Sequence, residues 1–192
     1  MDTQDLAAIK RCQSGDPDAF AELYDAYIKR IYDFIYYRTR HKQTAEDLTS
    51  ITFTKAFQNI KTFRNTEGLF SSWLFKIARN TIIDNARTKK TTIDLDAAAN
   101  APSKDNVAGE AEIKDKLDQI KKYLSELTED QRDVVVMRLW DELSYAEIAE
   151  VTGKTPGNCK VIFSRALQKI QTELVPLLSL FLLISFQIIF NH

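Results

Sequence analysis

The sequence predicts an all-α protein: two small helical domains joined by a flexible linker, the second a helix-turn-helix domain. Three observations predict it. The 192 residues hold only 5 Gly and 4 Pro, too little turn chemistry for the many short strands of a sandwich or barrel. Apolar residues recur at three- and four-residue steps through most of the chain, the period of a helix with one buried stripe. Between two such regions lies Thr91–Gly109 (TTIDLDAAANAPSKDNVAG), which is small, polar, acidic and without period, the composition of a linker. With 44% apolar and 28% charged residues the chain can bury a core, and its length suits one large domain or two small ones.

The first domain spans residues 10–90. Phe20, Leu23, Tyr24, Tyr27, Ile31, Phe34 and Ile35 form one helical stripe, with Asp16 and Pro17 read as its cap and first turn. A second helix is expected to start at Thr44, with Asp47 three residues on, and to present Leu48, Ile51, Phe53, Phe57 and Ile60. A loop with Asn65 and Gly68 ends it. A third helix turns Trp73, Leu74, Ile77, Ala78 and Ile82 inward and leaves Lys76, Arg79, Asn80 and Arg87 largely on other faces. Past the linker, 91–110, the second domain spans residues 111–174. Ile113, Leu117, Ile120 and Leu124 mark a helix, and Thr128 with Gln131 forms a capping box for the next, Asp130–Trp140. Trp140 is expected in the core.

Ser144 with Glu147 opens another capping box, Ile148 and Ala149 face inward, and Gly153 stands where a left-handed helix end is wanted. Thr155 and Pro156 start a further helix. A short helix, a tight glycine turn and a second helix form a helix-turn-helix, in which Ala149 permits close approach. On the second helix Cys159, Ile162, Phe163, Ala166 and Ile170 make the inner stripe. Asn158, Val161, Ser164, Arg165 and Lys169 are left for the major groove and flanking phosphates. Helical hairpins with a glycine turn also occur in proteins that never meet DNA.

The near-neutral charge of −1 conceals local excesses. From Val151 to Thr172 there are four bases (Lys154, Lys160, Arg165, Lys169) and no acid; from Trp73 to Lys90 there are five, with Arg64 just upstream, against Asp84 alone. Such patches suit a polyanion, although solvated helix faces carry the same residues. Trp73 either stacks on an unpaired base or packs between helices. His41, on a basic turn with Arg38, Arg40 and Lys42, is read as solvent-facing. There is no phosphate loop, HExxH or GxSxG, so no enzyme is expected. Cys12 and Cys159 make no CxxC pair, so neither metal site nor disulfide scaffold is expected and no cofactor is implied. The absence of an uninterrupted apolar run in Met1–Arg30 reads as no secretory signal, hence a cytoplasmic protein.

Together these segments resemble the bacterial RNA polymerase sigma factors of the two-domain extracytoplasmic-function group of the sigma-70 family, over roughly residues 10–174. AFAELYDAYIKRIYDFIYYR is similar to the family's first helix, TAEDLTSITFTKAFQNI to its core-binding helix, and FRNTEGLFSSWLFKIARNTIIDNARTKK to its promoter-melting and −10-reading segment. LTEDQRDVVVMRLWDELSYAEIAEVTGKTPGNCKVIFSRALQKIQTEL is similar to its −35-reading domain. The resemblance implies a specificity subunit that binds core RNA polymerase, directs it to promoter DNA and helps open the duplex. It implies core-polymerase contacts at Glu46, Asp47, Leu48 and Phe53, and a −10 surface of Arg64, Asn65, Trp73, Lys76, Arg79, Asn80 and Arg87. The −35 surface comprises Thr155, Asn158, Lys160, Val161, Ser164, Arg165 and Lys169. A pocket in the Arg64–Phe70 loop would hold one flipped base. An anti-sigma factor is the family's usual further partner.

Promoter elements about 17 base pairs apart lie about 58 Å apart, and a linker of about 19–25 residues can extend to about 65–90 Å, so one chain can hold both. Two departures stand out. Ser50 and Ile51 occupy the place of a common Gln-Glu pair, and the recognition helix reads Gly157, Asn158, Cys159, Lys160, Val161, Ile162 where the family often has Gly-Thr-Val-Lys-Ser-Arg. From Val175 to Phe190 (VPLLSLFLLISFQIIF) no charge appears. As a helix those 16 residues span about 24 Å, short of a full membrane span, so the tail, residues 175–192, reads either as a membrane contact or as a segment docking on protein. The competing functional class is a stand-alone helix-turn-helix regulator.

Overall fold

The computed structural model describes residues 3–64, 69–93, 124 and 126–172, and among these there are helices and turns but no strand. Helix α1, Thr3–Gln13, was not foreshadowed by the apolar spacing. It buries Ala8, Ile9 and Cys12 against α2, Ala19–Thr39. Tyr27 Oη donates to Asp5 Oδ2 at 2.6 Å, and Gln13 Nε2 donates to the carbonyls of Ile60 and Phe63 at 3.1 and 2.8 Å, pinning both ends of α1.

The expected Asp16 cap is corrected. Asp18 occupies the N-cap of α2 and makes no side-chain cap bond. The Asp16 carboxylate instead closes the preceding turn, accepting from the Asp18 N–H and from Arg11, whose guanidinium holds that carboxyl below its ordinary range. α2 buries Phe20, Leu23, Tyr27, Ile31, Phe34 and Ile35, the predicted stripe without Tyr24, and ends at Arg40 in the left-handed region.

α3 spans Lys42–Asn59, and its cap is a second correction: His41 Nδ1 accepts from the Thr44 N–H at 3.2 Å, so Thr44 lies inside the first turn. Its buried face is only partly the predicted one. Leu48 and Phe53 are buried together with Thr49 and Thr52, which bond their hydroxyls to the carbonyls four residues back, whereas Ile51 and Phe57 remain exposed. A 3₁₀ turn, Ile60–Thr62, leads on to α4, Phe70–Ile93. Leu74, Phe75, Ala78 and Ile82 are buried on α4; Phe75 meets Phe34 edge-on at 5.3 Å.

The second set of helices is α5, Glu129–Leu139, α6, Tyr145–Thr152, and α7, residues 156–172. Both predicted capping boxes form, Thr128 with Gln131 and Ser144 with Glu147. Gly153 takes φ +70° at the end of α6, a backbone state where a Cβ would be strained, and this makes the helix-turn-helix turn. Trp140 is corrected from core to surface: it is 41% exposed, its ring lying 5.4 Å from that of Tyr37. The expected helix over Ile113–Leu124 lies outside the described residues except Leu124, which is buried. The linker beyond Ile93 and the tail 175–192 also lie outside them.

Candidate nucleic-acid and polymerase interface

Helix α7 sorts its two faces as the spacing predicts. Cys159 and Ala166 are fully buried, and Thr152 Oγ1 lies 3.7 Å from Cys159 Sγ, tying α6 to α7. Thr155 Oγ1 accepts from the Asn158 N–H at 3.2 Å and caps the helix. The opposite face exposes Asn158, Lys160, Val161, Ser164, Arg165 and Lys169. Val161 is 45% exposed, an apolar group set among polar ones. Lys169 is diverted, its ammonium donating to the Glu126 carbonyl.

The −10 candidates gather on α4 less uniformly. Lys76, Asn80 and Arg87 are exposed and follow one another at steps of four and seven, so they share a face. Trp73 is half-buried, its ring 5.3 Å from Phe63 and 5.5 Å from Phe70, in the packing arrangement rather than free-standing. Arg64 is exposed; Asn65 and the flipped-base pocket expected in the Arg64–Phe70 loop fall largely outside the described residues.

Between α2 and α3 runs an apolar groove of about 700 Å³, walled by Phe20, Tyr24, Tyr32, Phe53 and Phe57 with Glu46 at its edge. Of the four polymerase-contact candidates, Glu46 and Phe53 therefore line one groove and Asp47 is exposed. Leu48 is buried, so it serves to seat α3 rather than to touch a partner.

Arg79 is the residue that spacing alone could not place. It reaches from α4 to α5, where Nε donates to Asp133 Oδ2 at 3.1 Å and Nη2 to Asp130 Oδ1 at 3.4 Å. Arg38 of α2 closes the same cluster, with Nη1 to Asp133 Oδ1 at 3.1 Å and Nη2 to Glu129 Oε2 at 2.5 Å. Asp133 is 2% exposed, and burial pushes its carboxyl up against the opposing pull of the two guanidiniums. Asp130 is held low chiefly by Lys154, whose Nζ lies at 2.9 Å.

A second contact joins the same two helix sets. Arg30 donates from Nε to Asp141 Oδ1 at 3.2 Å and from Nη2 to the Asp141 carbonyl at 2.8 Å, while its guanidinium carbon lies 5.2 Å from the Tyr27 ring centre. Burial pushes Asp141 up to about 6, although Arg30 opposes it. Ser72 Oγ donates to Glu150 Oε2 at 2.8 Å, placing α6 against α4. Arg30, Asp133 and Asp141 were not singled out in the sequence, and Arg38 was read only as part of the basic turn at His41, because each reads there as an ordinary surface charge.

Fold and surfaces define an all-helical protein with two sets of helices, the second a helix-turn-helix with an exposed face bearing Lys160, Arg165 and Lys169. The pattern of Sigma-70 region 2 matches residues 23–92 and that of Sigma-70 region 4 matches residues 117–170. The chain is 31% identical to the ECF RNA polymerase sigma factor SigW of Bacillus subtilis over 180 residues, covering 86% of this chain and 94% of that protein. It is 36% identical to the ECF RNA polymerase sigma factor BldN of Streptomyces coelicolor over 171 residues, covering 85% of this chain but spanning 63% of that relative's length. Two solved structures share the fold: CnrH, in complex with the cytosolic domain of CnrY (TM-score 0.70, 20% identity, 90% of this chain and 98% of that one), and RpoE of Bartonella quintana, in complex with the anti-sigma factor NepR (TM-score 0.69, 23% identity, 81% and 96%). The chain belongs to the sigma-70 family of RNA polymerase sigma factors, in its extracytoplasmic-function group. Among the described residues no helix is long and apolar enough to cross a membrane.

Proposed function

We propose that this sigma factor binds core RNA polymerase through the α2–α3 groove and the exposed acids Glu46 and Asp47, reads the −10 element with the α4 face and reads the −35 element with α7. The observation that carries this reading is the ordered pair of region 2 and region 4 in one chain, with a helix-turn-helix in the latter. The modules are taken as residues 10–90 and 111–174, with the linker 91–110 spanning the promoter spacer. Asn158, Val161, Ser164 and Arg165 face the major groove, and Thr155 and Lys160 lie toward flanking phosphates, joined by Lys169 once its ammonium leaves the Glu126 carbonyl. On the first module Lys76, Arg79, Asn80 and Arg87, with Arg64 and Asn65, contact the melted strand, and Trp73 braces the loop that receives a flipped base.

The protein performs no reaction of its own; polymerase supplies the chemistry and, given a net charge of −1, most of the phosphate contacts. It works in the cytoplasm, where polymerase and promoter lie. An anti-sigma factor is a further partner, a reading supported by the complexes in which CnrH and RpoE were solved. A stand-alone regulator has no use for a region 2. Transcripts sequenced after mixing the protein with core polymerase and a fragmented genomic library should start at discrete sites behind a shared two-part motif. Failure to bind core, together with random starts, would refute the reading.

A further inference from the structure

The apolar groove between α2 and α3 calls for an uncharged occupant. Its walls run antiparallel: Phe20 meets Phe57 edge-on at 5.1 Å and Tyr24 meets Phe53 at 4.8 Å, so Phe20 and Phe57 mark one end and Tyr32 and Glu46 the other. Polar groups along it already have partners. Thr49 Oγ1 donates to the Ala45 carbonyl, Thr54 Oγ1 donates to the Ser50 carbonyl, and Lys29 pairs with Asp33. Tyr24 and Phe57 nevertheless stay exposed, an apolar surface of the kind a partner covers. We propose that residues 177–190 of the same chain pack in this groove as a helix, beginning beside Tyr32 and ending beside Phe20 and Phe57.

Reach, length and chemistry select this occupant. The end of α7 is tied to the start of α5 by the Lys169 ammonium on the Glu126 carbonyl, and Glu129 of α5 meets Arg38 near the end of α2. Tyr32 lies about 9 Å along α2 from Arg38, and residues 173–176 can extend over about 13–14 Å, so the chain leaving α7 reaches the entrance. Pro176 disfavours the helical state at Val175 and suits the first turn of a new helix, which lets the chain turn off the axis of α7 there. As a helix, residues 177–190 rise about 21 Å, against about 18 Å for the stretch of α2 from Phe20 to Tyr32 that walls the groove. The same segment falls well short of the roughly 30 Å hydrocarbon core of a bilayer. From Val175 to Phe190 it carries no charge, which matches a groove whose polar groups ask for nothing. The groove is also the one assigned above to core polymerase, so polymerase must displace the tail; this consequence, unlike the docking, rests on that reading.

The test puts the photo-cross-linker p-benzoylphenylalanine in place of Phe186 in the full chain. Irradiation of the free protein should join this position, within one chain, to peptides of residues 20–32 or 46–57, read by mass spectrometry. Thr54 is exposed on the groove, so Thr54→Glu keeps the fold; by setting a carboxylate against the apolar segment it should cut the yield about fivefold or more, whereas Thr54→Val keeps it. Cross-links only between two chains, only to other parts of the chain, or a yield indifferent to Thr54→Glu overturn the proposal. So does replacement of the internal cross-link by cross-links to lipid when vesicles of phosphatidylcholine and phosphatidylglycerol are added. The polymerase reading is checked separately: excess core polymerase should abolish the internal cross-link, and a cross-link that persists with polymerase bound refutes the polymerase assignment of the groove while leaving the docking standing.

Discussion

Asp141→Asn isolates one buried carboxyl whose ionisation opposes folding. The Asp141 side chain is 3% exposed; Oδ1 accepts from Arg30, and Oδ2 has no partner among the described residues. Burial raises the group from its ordinary 3.8 to about 6, a shift that corresponds to about 3 kcal/mol. Below pH 3.8 folded and unfolded chains both carry the proton. Between 3.8 and 6 only the folded chain holds it, so this residue's contribution to stability falls as pH rises through that window, and above 6 the full cost of a buried charge is present. Asparagine keeps the shape and stays neutral, so variant and parent should be alike near pH 4, and the variant should gain about 2–3 kcal/mol relative to the parent by pH 7. Urea unfolding of both chains at pH 4, 5, 6 and 7 measures this, because every other titrating group cancels in the difference. A gap that stays constant with pH, or that moves in favour of the parent, would refute it and make Arg30 an adequate partner for an ionised Asp141.

Core packing gives a second expectation. Phe34 is fully buried and meets Phe75 edge-on, so Phe34→Ala should cost about 3–5 kcal/mol and lower the unfolding midpoint of the first helix set; a loss under 1 kcal/mol would mean the site collapses around the smaller residue. The apolar tail gives a third: a chain ending at Leu174 should still direct core polymerase to promoters, and complete loss of initiation in that truncation would make residues 175–192 part of the initiation machinery.

Much of the local structure was legible because its causes are local. The capping boxes at Thr128 and Ser144 each lie within four residues, and the left-handed state at Gly153 follows from the one residue type that adopts it freely. The inner stripe of α7 came from period alone, and Cys159 is buried as that period requires. Where periodicity misled, a neighbour decided. Ile51 and Phe57 fit a helical stripe, yet α3 turns Thr49 and Thr52 inward because a threonine hydroxyl can return its hydrogen bond to its own helix and need find no partner across the core. Trp140 was expected in the core, but it ends α5 at the seam and only leans on Tyr37. His41 was read as solvent-facing and is exposed, but its capping of α3 depended on a ring orientation that residue type does not announce.

By itself, the order of residues determined the all-helical class, the helix-turn-helix, the basic character of α4 and α7, and the resemblance to a two-region sigma factor, since each depends on spacings shorter than a helix or on the order of such spacings. Only the tertiary structure decided which charges are spent within the chain. Arg38 and Asp133 stand 95 residues apart, Arg79 and Asp133 54, and Arg30 and Asp141 111. No periodicity couples such positions. Each is an ordinary surface charge until α5 and α6 are brought against α2 and α4, where desolvation makes every remaining partner count.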